Sequence, residues 1–185
     1  AKDIFDKLFL KTNNLKNKKN FKISKILILS ENSKNKKMNL NKFKRKGFKI
    51  SSMNYLTNFN YKFIDYVFIC NPFRIFTELN RITNLNKRII VPSYEILKKM
   101  KFKKKEQLIN YNYNKSEIPK IEEEFCKYKN NFVLFFSISF CISKNAKLIQ
   151  VQNIEKSERN NNIIRDIRKI IKKNNYNTKL NIVWS

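Results

Sequence analysis

The sequence has 185 residues, and its 41 lysines and arginines outnumber its 14 acidic residues, so the formal net charge is +27. Because 42% of the residues are hydrophobic and 14% are aromatic, the composition indicates one folded domain and excludes a disordered basic tail. The chain lacks histidine and has one glycine, Gly47, which excludes histidine-based catalysis, histidine metal sites and glycine-rich phosphate loops; no metal or cofactor is expected.

Apolar runs and helix-compatible segments alternate in the first half of the chain. Residues 1–24 combine a short helix with a basic connection, and the run "KILILS" that follows is typical of a strand buried on both faces. Residues 33–46 predict a basic helix that ends at Gly47, where a left-handed cap is expected. The segment "FKISSM" after this glycine predicts a second strand.

Two further strands are predicted before the middle of the chain. The run "YVFIC", residues 66–70, is followed directly by an Asn-Pro pair, which is a helix-start signal. The run "RIIV", residues 88–91, precedes a short helix that begins at a Pro-Ser pair. Strands that alternate with helices at this rhythm predict an α/β fold with a parallel, doubly wound (Rossmann- or flavodoxin-like) sheet and helices on both faces.

The remainder of the chain is less regular. A helix is predicted at residues 119–129, and the apolar run at residues 132–142 is either a strand or a buried helix, since it is shorter than the roughly 20 residues that a membrane span needs. Residues 160–175 predict an amphipathic helix, and "LNIVWS" a last strand. The predicted organisation is an N-terminal helix and basic connection (1–24), an α/β domain (25–144) and a basic C-terminal extension packed on that domain (145–185).

The cysteines predict structural thiols. Cys70, Cys126 and Cys141 lie in or beside apolar runs without CxxC spacing. We therefore expect buried free thiols in a reducing compartment.

The charge imbalance favours a polyanionic partner. Like charges on one compact body repel one another, and nucleic acid relieves this repulsion because lysine and arginine displace counterions from phosphates. An anionic membrane surface is an alternative that requires a basic amphipathic helix or a lipid anchor. Codon bias of an AT-rich genome is another source of lysine, but it does not by itself explain why acidic residues are scarce.

Basic clusters recur at several predicted edges of the domain. Together with interleaved aromatic residues, they are typical of phosphate-backbone contact with structured RNA, which proteins recognise mainly by shape. The candidate basic contacts are Lys42, Lys44, Arg45, Lys46, Lys101, Lys103, Lys104, Lys105, Arg165, Arg168, Lys169 and Lys172.

An enzyme is the alternative from a different class. Doubly wound sheets bind ligands at the carboxyl ends of their strands, so a degenerate nucleotide-binding enzyme would use the loops at residues 30–33, 71–72 and 92–93. These loops contain no glycine, which hinders close approach of a phosphate to the backbone. We therefore predict no catalytic residues and no small-molecule substrate.

The order of the motifs resembles a known family. The chain presents "KILILS", a basic helix, a strand leading to "LTNF", then "DYVFICNP", "KRIIVPS", "LINYNYNKS" and "FVLFFSISFCISK". This order resembles the small ribosomal subunit protein two family, in its divergent organellar form, over roughly residues 25–144. Only residues 60–64 separate "LTNF" from the next strand, so the helical hairpin of that family is expected to be reduced or absent.

The resemblance implies a non-catalytic α/β sandwich of Rossmann-like topology. Its partners would be small-subunit rRNA and neighbouring small-subunit ribosomal proteins, in the mitochondrial matrix or, as second choice, in a plastid. It adds Asn54, Thr57 and Asn58 to the candidate RNA-binding residues, because they form the turn that includes "LTNF". An unrelated organellar RNA-binding protein remains the other alternative.

Overall fold

Six strands form one sheet in the computed structural model, which describes residues 23–35, 37–56, 59–70, 88–90 and 132–185. In chain order the strands are β1 (Lys25–Leu29), β2 (Lys49–Met53), β3 (Tyr66–Phe68), β4 (Arg88–Ile90), β5 (Leu148–Ile154) and β6 (Lys179–Trp184). The strand order across the sheet is β4-β3-β2-β1-β5-β6, and every adjacent pair is parallel. The predicted doubly wound α/β fold is therefore confirmed.

Helices cover both faces of this sheet. The α-helices are α1 (Leu40–Arg45), α2 (Phe132–Ser143) and α3 (Glu158–Lys173), and short 3-10 helices occupy Glu31–Asn35 and Tyr61–Phe63. On one face, Ile26 and Ile28 of β1 pack with side chains of α2 and α3; we call this the α2–α3 face. On the opposite face, Leu27 and Leu29 pack with Leu40 of α1; we call this the α1 face.

The predicted helix at residues 33–46 is divided into two pieces. The 3-10 helix ends at Asn35, and α1 begins only after Asn39, whose side chain accepts a hydrogen bond from the Lys42 backbone N–H at 3.1 Å. Asparagine is a strong helix cap because its short side chain satisfies a free N–H of the first turn. The helix therefore begins later than its basic pattern suggests.

The end of α1 is fixed by a Schellman motif. Gly47 has φ +80°, its N–H donates to the Lys44 carbonyl at 2.9 Å, and the Phe48 N–H donates to the Phe43 carbonyl at 3.1 Å. The rings of Phe43 and Phe48 meet edge to face with centroids 5.5 Å apart, which supplies the hydrophobic contact usual for this motif. The left-handed glycine expected from the sequence is present.

The apolar run at residues 132–142 forms a helix rather than a strand. Its side chains pack on the α2–α3 face, where Phe136 and Phe140 each contact the ring of Phe68 from β3 edge to face or nearly so. Ser137 is fully buried, and its hydroxyl donates to the Leu134 carbonyl at 3.1 Å within the helix. Because the helix itself satisfies this hydroxyl, the serine does not interrupt the apolar run.

The strand β5 is the element that the sequence prediction lacked. It lies between β1 and β6, with Lys25 opposite Leu148 on one side and Leu148 opposite Lys179 on the other. Residues 145–185 thus contribute β5 and β6 to the same sheet as β1, with α3 between these two strands in the chain. The predicted last strand is present as β6.

Several predicted elements lie outside the described residues. They are the helix in residues 1–24, the helices after residues 71 and 92, and the helix at residues 119–129. Within the part of the chain that the structure describes, no helix is long and apolar enough to cross a membrane.

Candidate nucleic-acid interface

The basic cluster of α1 has one structural and three solvent-facing members. Lys42, Arg45 and Lys46 are exposed, whereas Lys44 is half-buried. The Lys44 ammonium forms an ion pair with the Asp65 carboxylate, and both side chains are largely shielded, with 28% and 23% of their surfaces exposed. Lys44 thus already has an anionic partner within the protein.

Asp65 explains why this pair is held in place. Its Oδ2 also accepts a hydrogen bond from the Ile50 N–H at 2.8 Å, and its own N–H donates to the Ile50 carbonyl at 2.7 Å. A carboxylate that binds both an ammonium and a backbone N–H connects α1, β2 and the segment before β3. Of the four predicted contacts in this cluster, Lys44 is the one that the fold itself uses.

The basic stripe of α3 has the simple geometry that its sequence pattern predicts. Ile163, Ile164 and Ile167 are buried on the α2–α3 face, while the cationic side chains are exposed on the other side of the helix. The stripe consists of Arg165, Arg168, Lys169 and Lys172, which line an open groove of about 330 Å³ with Asn161 and Ile164. These four residues lie at helical spacing over two turns, so their charges can follow a phosphate backbone.

The two basic surfaces lie on opposite sides of the sheet. Leu40 anchors α1 to the α1 face, and Ile167 anchors α3 to the α2–α3 face. One flat surface therefore cannot contact both, and the predicted basic residues form two separate interfaces.

The remaining predicted contacts are placed as follows. Asn54 lies just after β2 with φ 63°, its N–H donates to the Phe68 carbonyl at 2.7 Å, and its side chain lies 3.4 Å from Glu31 Oε1. It is therefore at the carboxyl edge of the sheet, whereas Lys46 lies at the amino edge, where its carbonyl is 3.5 Å from Lys25 Nζ. The other candidates, Thr57, Asn58, Lys101, Lys103, Lys104 and Lys105, lie outside the described residues.

The described residues beside the "LTNF" motif pack as a small aromatic unit. The Leu56 N–H donates a hydrogen bond to the Tyr61 hydroxyl at 2.6 Å, and both residues are buried. The Tyr61 ring stacks on Tyr55 with centroids 5.5 Å apart and meets Phe59 edge to face at 5.7 Å. The aromatic residues on either side of residues 57–58 thus pack on the core of the α1 face.

The carboxyl ends of β1 and β5 form the switch point of the strand order, which is the usual ligand crevice of a doubly wound sheet. Here the crevice holds a buried network of the chain's own polar groups. The Ser30 hydroxyl donates to the Asn153 carbonyl at 2.6 Å, and the Asn153 side-chain amide donates to the Ser33 hydroxyl at 3.2 Å. All three residues are buried, with Asn153 only 5% exposed.

The thiols are placed where their chemistry is suppressed. Cys70 and Cys141 are free and fully buried on the α2–α3 face, and loss of solvation raises the pKa of both thiols well above the ordinary value. Neutral buried thiols are poor nucleophiles and poor metal ligands. Cys126 lies outside the described residues, and among the described ones no three acidic, cysteine or histidine side chains cluster as a metal site would require.

Sequence reasoning overlooked a second polar surface beside α1. Lys37, Gln150 and Gln152 join Lys42 and Lys46 along a groove between α1 and β5. The alternation of apolar and polar residues in "LIQVQ" was the available signal, because it is the pattern of a strand with one face in the core and one polar face.

Comparisons with known proteins identified no similar protein or family. No family model matches the sequence, and searches of curated proteins and of solved structures gave no significant match.

Proposed function

We propose that this protein is a structural rRNA-binding component of an organellar small ribosomal subunit, with no catalytic role. The observation that carries the proposal is the placement of exposed cations on both sides of the sheet in a chain with a net charge of +27. Such a protein gains stability from phosphates that neutralise its surfaces, and ribosomal RNA supplies phosphates on many sides of a bound protein.

The crevice at the switch point supports a binding role over a catalytic one. A nucleotide would have to displace the hydrogen bonds that link Ser30, Ser33 and Asn153, all of which are buried. Breaking such bonds without replacing them leaves unsatisfied polar groups, at a cost of about 1–3 kcal/mol for each group. The cations, in contrast, are already exposed.

The resemblance to the small ribosomal subunit protein two family supports the choice of particle. That family has the doubly wound α/β architecture that this chain adopts, and it binds small-subunit rRNA beside other small-subunit proteins. We place the protein in the mitochondrial matrix, with a plastid as the second choice.

Sedimentation of organellar extracts tests the proposal. The tagged full-length protein is expected to comigrate with small-subunit rRNA in a density gradient, and ribonuclease treatment should shift it to light fractions. Recovery in light fractions before ribonuclease treatment would refute the proposal. Comigration with an RNA particle that lacks small-subunit rRNA would favour another organellar RNA-binding protein.

A second candidate is a degenerate nucleotide-binding enzyme, which the strand order favours because its switch point lies between β1 and β5. Isothermal titration of the purified protein with mononucleotides at low and high salt distinguishes the two. Saturable binding that persists at high salt would support the enzyme class. Binding of RNA that weakens uniformly with salt, without mononucleotide binding, supports the rRNA-binding role.

A further inference from the structure

The groove between α1 and β5 has the composition of a ligand site. It has a volume of about 530 Å³, and its described lining includes Lys37, Lys42, Lys46, Gln150 and Gln152. No described carboxylate lines it. The volume lies within the roughly 300–1,000 Å³ that is typical of small-ligand sites.

The register of the sheet explains why this groove has a polar floor. On the α2–α3 face, β5 and β6 place Ile149, Val151 and Leu180 in the core. The alternate residues point to the α1 face, where Gln150 lies opposite Asn181 and Gln152 opposite Val183. The apolar core of this face is built on β1, β2 and β3, and of β5 only Leu148 packs against it, so β5 carries the amides of Gln150 and Gln152 where β1 carries leucines.

Gln152 is the feature of this floor that the fold does not explain. Only 9% of its surface is exposed, and within the described part of the chain its side-chain amide makes no hydrogen bond. Its backbone carbonyl, in contrast, accepts from the Ser30 N–H at 3.3 Å and lies 3.4 Å from the Ser33 hydroxyl. Buried polar side chains are nearly always bonded, and an unsatisfied one destabilises the folded state. An unbonded amide at the wall of a lysine-lined groove indicates a ligand that supplies the missing donor and acceptor.

We propose that this groove binds a single-stranded segment of RNA. The amides of Gln150 and Gln152 bond the edges of unpaired bases, and the ammonium groups of Lys37, Lys42 and Lys46 contact the phosphates. This inference rests on the proposed function and deepens it, because it assigns the two basic surfaces to different RNA structures.

The chemistry of the groove favours unpaired bases over a duplex. An A-form duplex keeps its base edges in a deep, narrow major groove that side chains do not reach, whereas splayed bases of loops and ends are read on their Watson–Crick edges. A glutamine amide offers both a donor and an acceptor, as these edges require. A duplex at this groove would leave the recessed amide of Gln152 unbonded.

The location of the groove makes it separable from the stripe on α3. The groove belongs to the α1 face, and the stripe covers the helix that packs on the opposite face. Variants in one surface therefore leave the other intact.

The experiment compares full-length Q150M/Q152M with wild type on two probes. The probes are a mixed-sequence single-stranded RNA 12-mer and the duplex of the same sequence. Methionine keeps the length of the side chain and removes the amide, so we expect affinity for the single strand to fall about tenfold or more, with duplex affinity unchanged. The control N177A removes an exposed amide outside both basic surfaces and should alter neither affinity.

Thermal unfolding separates a binding role of Gln152 from a structural one. Because the amide lacks a partner in the free protein, the midpoint of Q152M should equal or exceed that of wild type. A lower midpoint would show that the amide supports the fold and would overturn the inference.

A lysine variant provides an independent test. In K37A/K42A/K46A, the slope of log affinity against log salt for the single strand should decrease by about 2, because each lysine that neutralises a phosphate of a single strand adds roughly 0.7 to this slope. Unchanged single-strand binding in both variants, or equal competition by an oligoglutamate peptide, would overturn the groove inference while the proposed function stands. Failure of the wild-type protein to bind either RNA would instead overturn the proposed function.

Discussion

The two basic surfaces differ in how the fold holds their cations. On α3, the charged stripe is simply the side opposite the buried isoleucines, and its four cations are exposed. On α1, a helix of 6 residues depends on the Asn39 cap, the Gly47 turn and the Lys44–Asp65 pair for its position. Periodicity is thus enough to predict which cations are exposed on a long amphipathic helix. On a short helix, tertiary partners decide which cations are exposed and which are paired.

The largest expected effect concerns the stripe on α3. In R165A/R168A/K169A/K172A, the salt dependence of duplex RNA binding should weaken by up to about 3.6 log units per log unit of salt, at roughly 0.9 for each of four phosphate contacts. Electrophoretic mobility or fluorescence anisotropy titrations at several salt concentrations measure this slope. The matched variant K42A/K46A on α1 should leave the duplex slope unchanged, and an equal decrease in both variants would remove the distinction between the surfaces.

The next effect tests whether the α1 surface depends on Asp65. We expect D65A to lower the free energy of unfolding by about 1–3 kcal/mol, because it leaves the Ile50 N–H and the Lys44 ammonium without their partner. Urea denaturation followed by circular dichroism measures the change. K44M removes only the ammonium and keeps the bond to Ile50, so it should cost less; equal losses would contradict this account.

Alkaline pH probes the interior of the α2–α3 face. Burial raises the pKa of Cys70 and Cys141 above the unfolded value of about 9.0, so the unfolded chain releases these protons first. Their contribution to stability is complete below about pH 9 and declines above it, by about 1.4 kcal/mol per pH unit for each thiol. Urea denaturation of wild type and C141A between about pH 8 and about pH 10 compares the slopes. The decline should be shallower in C141A, and identical slopes would contradict a buried neutral thiol.

The smallest effect is expected at the C-terminal ends of the two basic helices. Both end in a Schellman motif with a left-handed residue, which is Gly47 after α1 and Asn175 after α3, at φ 80° and 52°. We expect G47A to lower the free energy of unfolding by about 1 kcal/mol, because a side chain is strained at this φ although nothing lies within 4 Å of the new Cβ. In N175G the strain is absent, so stability should be unchanged or slightly higher. Thermal unfolding of both variants measures the difference, and a loss in N175G as large as in G47A would contradict the assignment.

Much of the fold could be predicted from local patterns. Continuous apolar runs identified β1 and β3, a single glycine identified the end of α1, and isoleucines at helical spacing identified α3. Each of these signals is contained in one short stretch of sequence, and parallel strands buried on both faces are nearly continuous apolar runs.

The strand β5 could not be found in the same way, because it is apolar on one face only. Its glutamines line the groove beside α1 and lie outside the apolar core of that face. Likewise, the pairing of Lys44 with Asp65 spans 21 residues, and no local pattern distinguishes Lys44 from its exposed neighbours. The sequence therefore predicts the charged residues of the candidate site. Their division into two surfaces could be recognised only from the sheet topology, which places α1 and α3 on opposite faces.

The place of β5 in the sheet also constrains how the chain can be made. Ser30 bonds to Asn153, 123 residues later, and β1 pairs along one whole edge with β5. During synthesis, a nascent chain that has not yet reached β5 leaves this edge of β1 with unpaired N–H and C=O groups, in a hydrophobic strand that favours association with other chains. Such a chain is vulnerable until β5 emerges, so a chaperone or an early RNA contact that shields β1 would act before β1 and β5 pair.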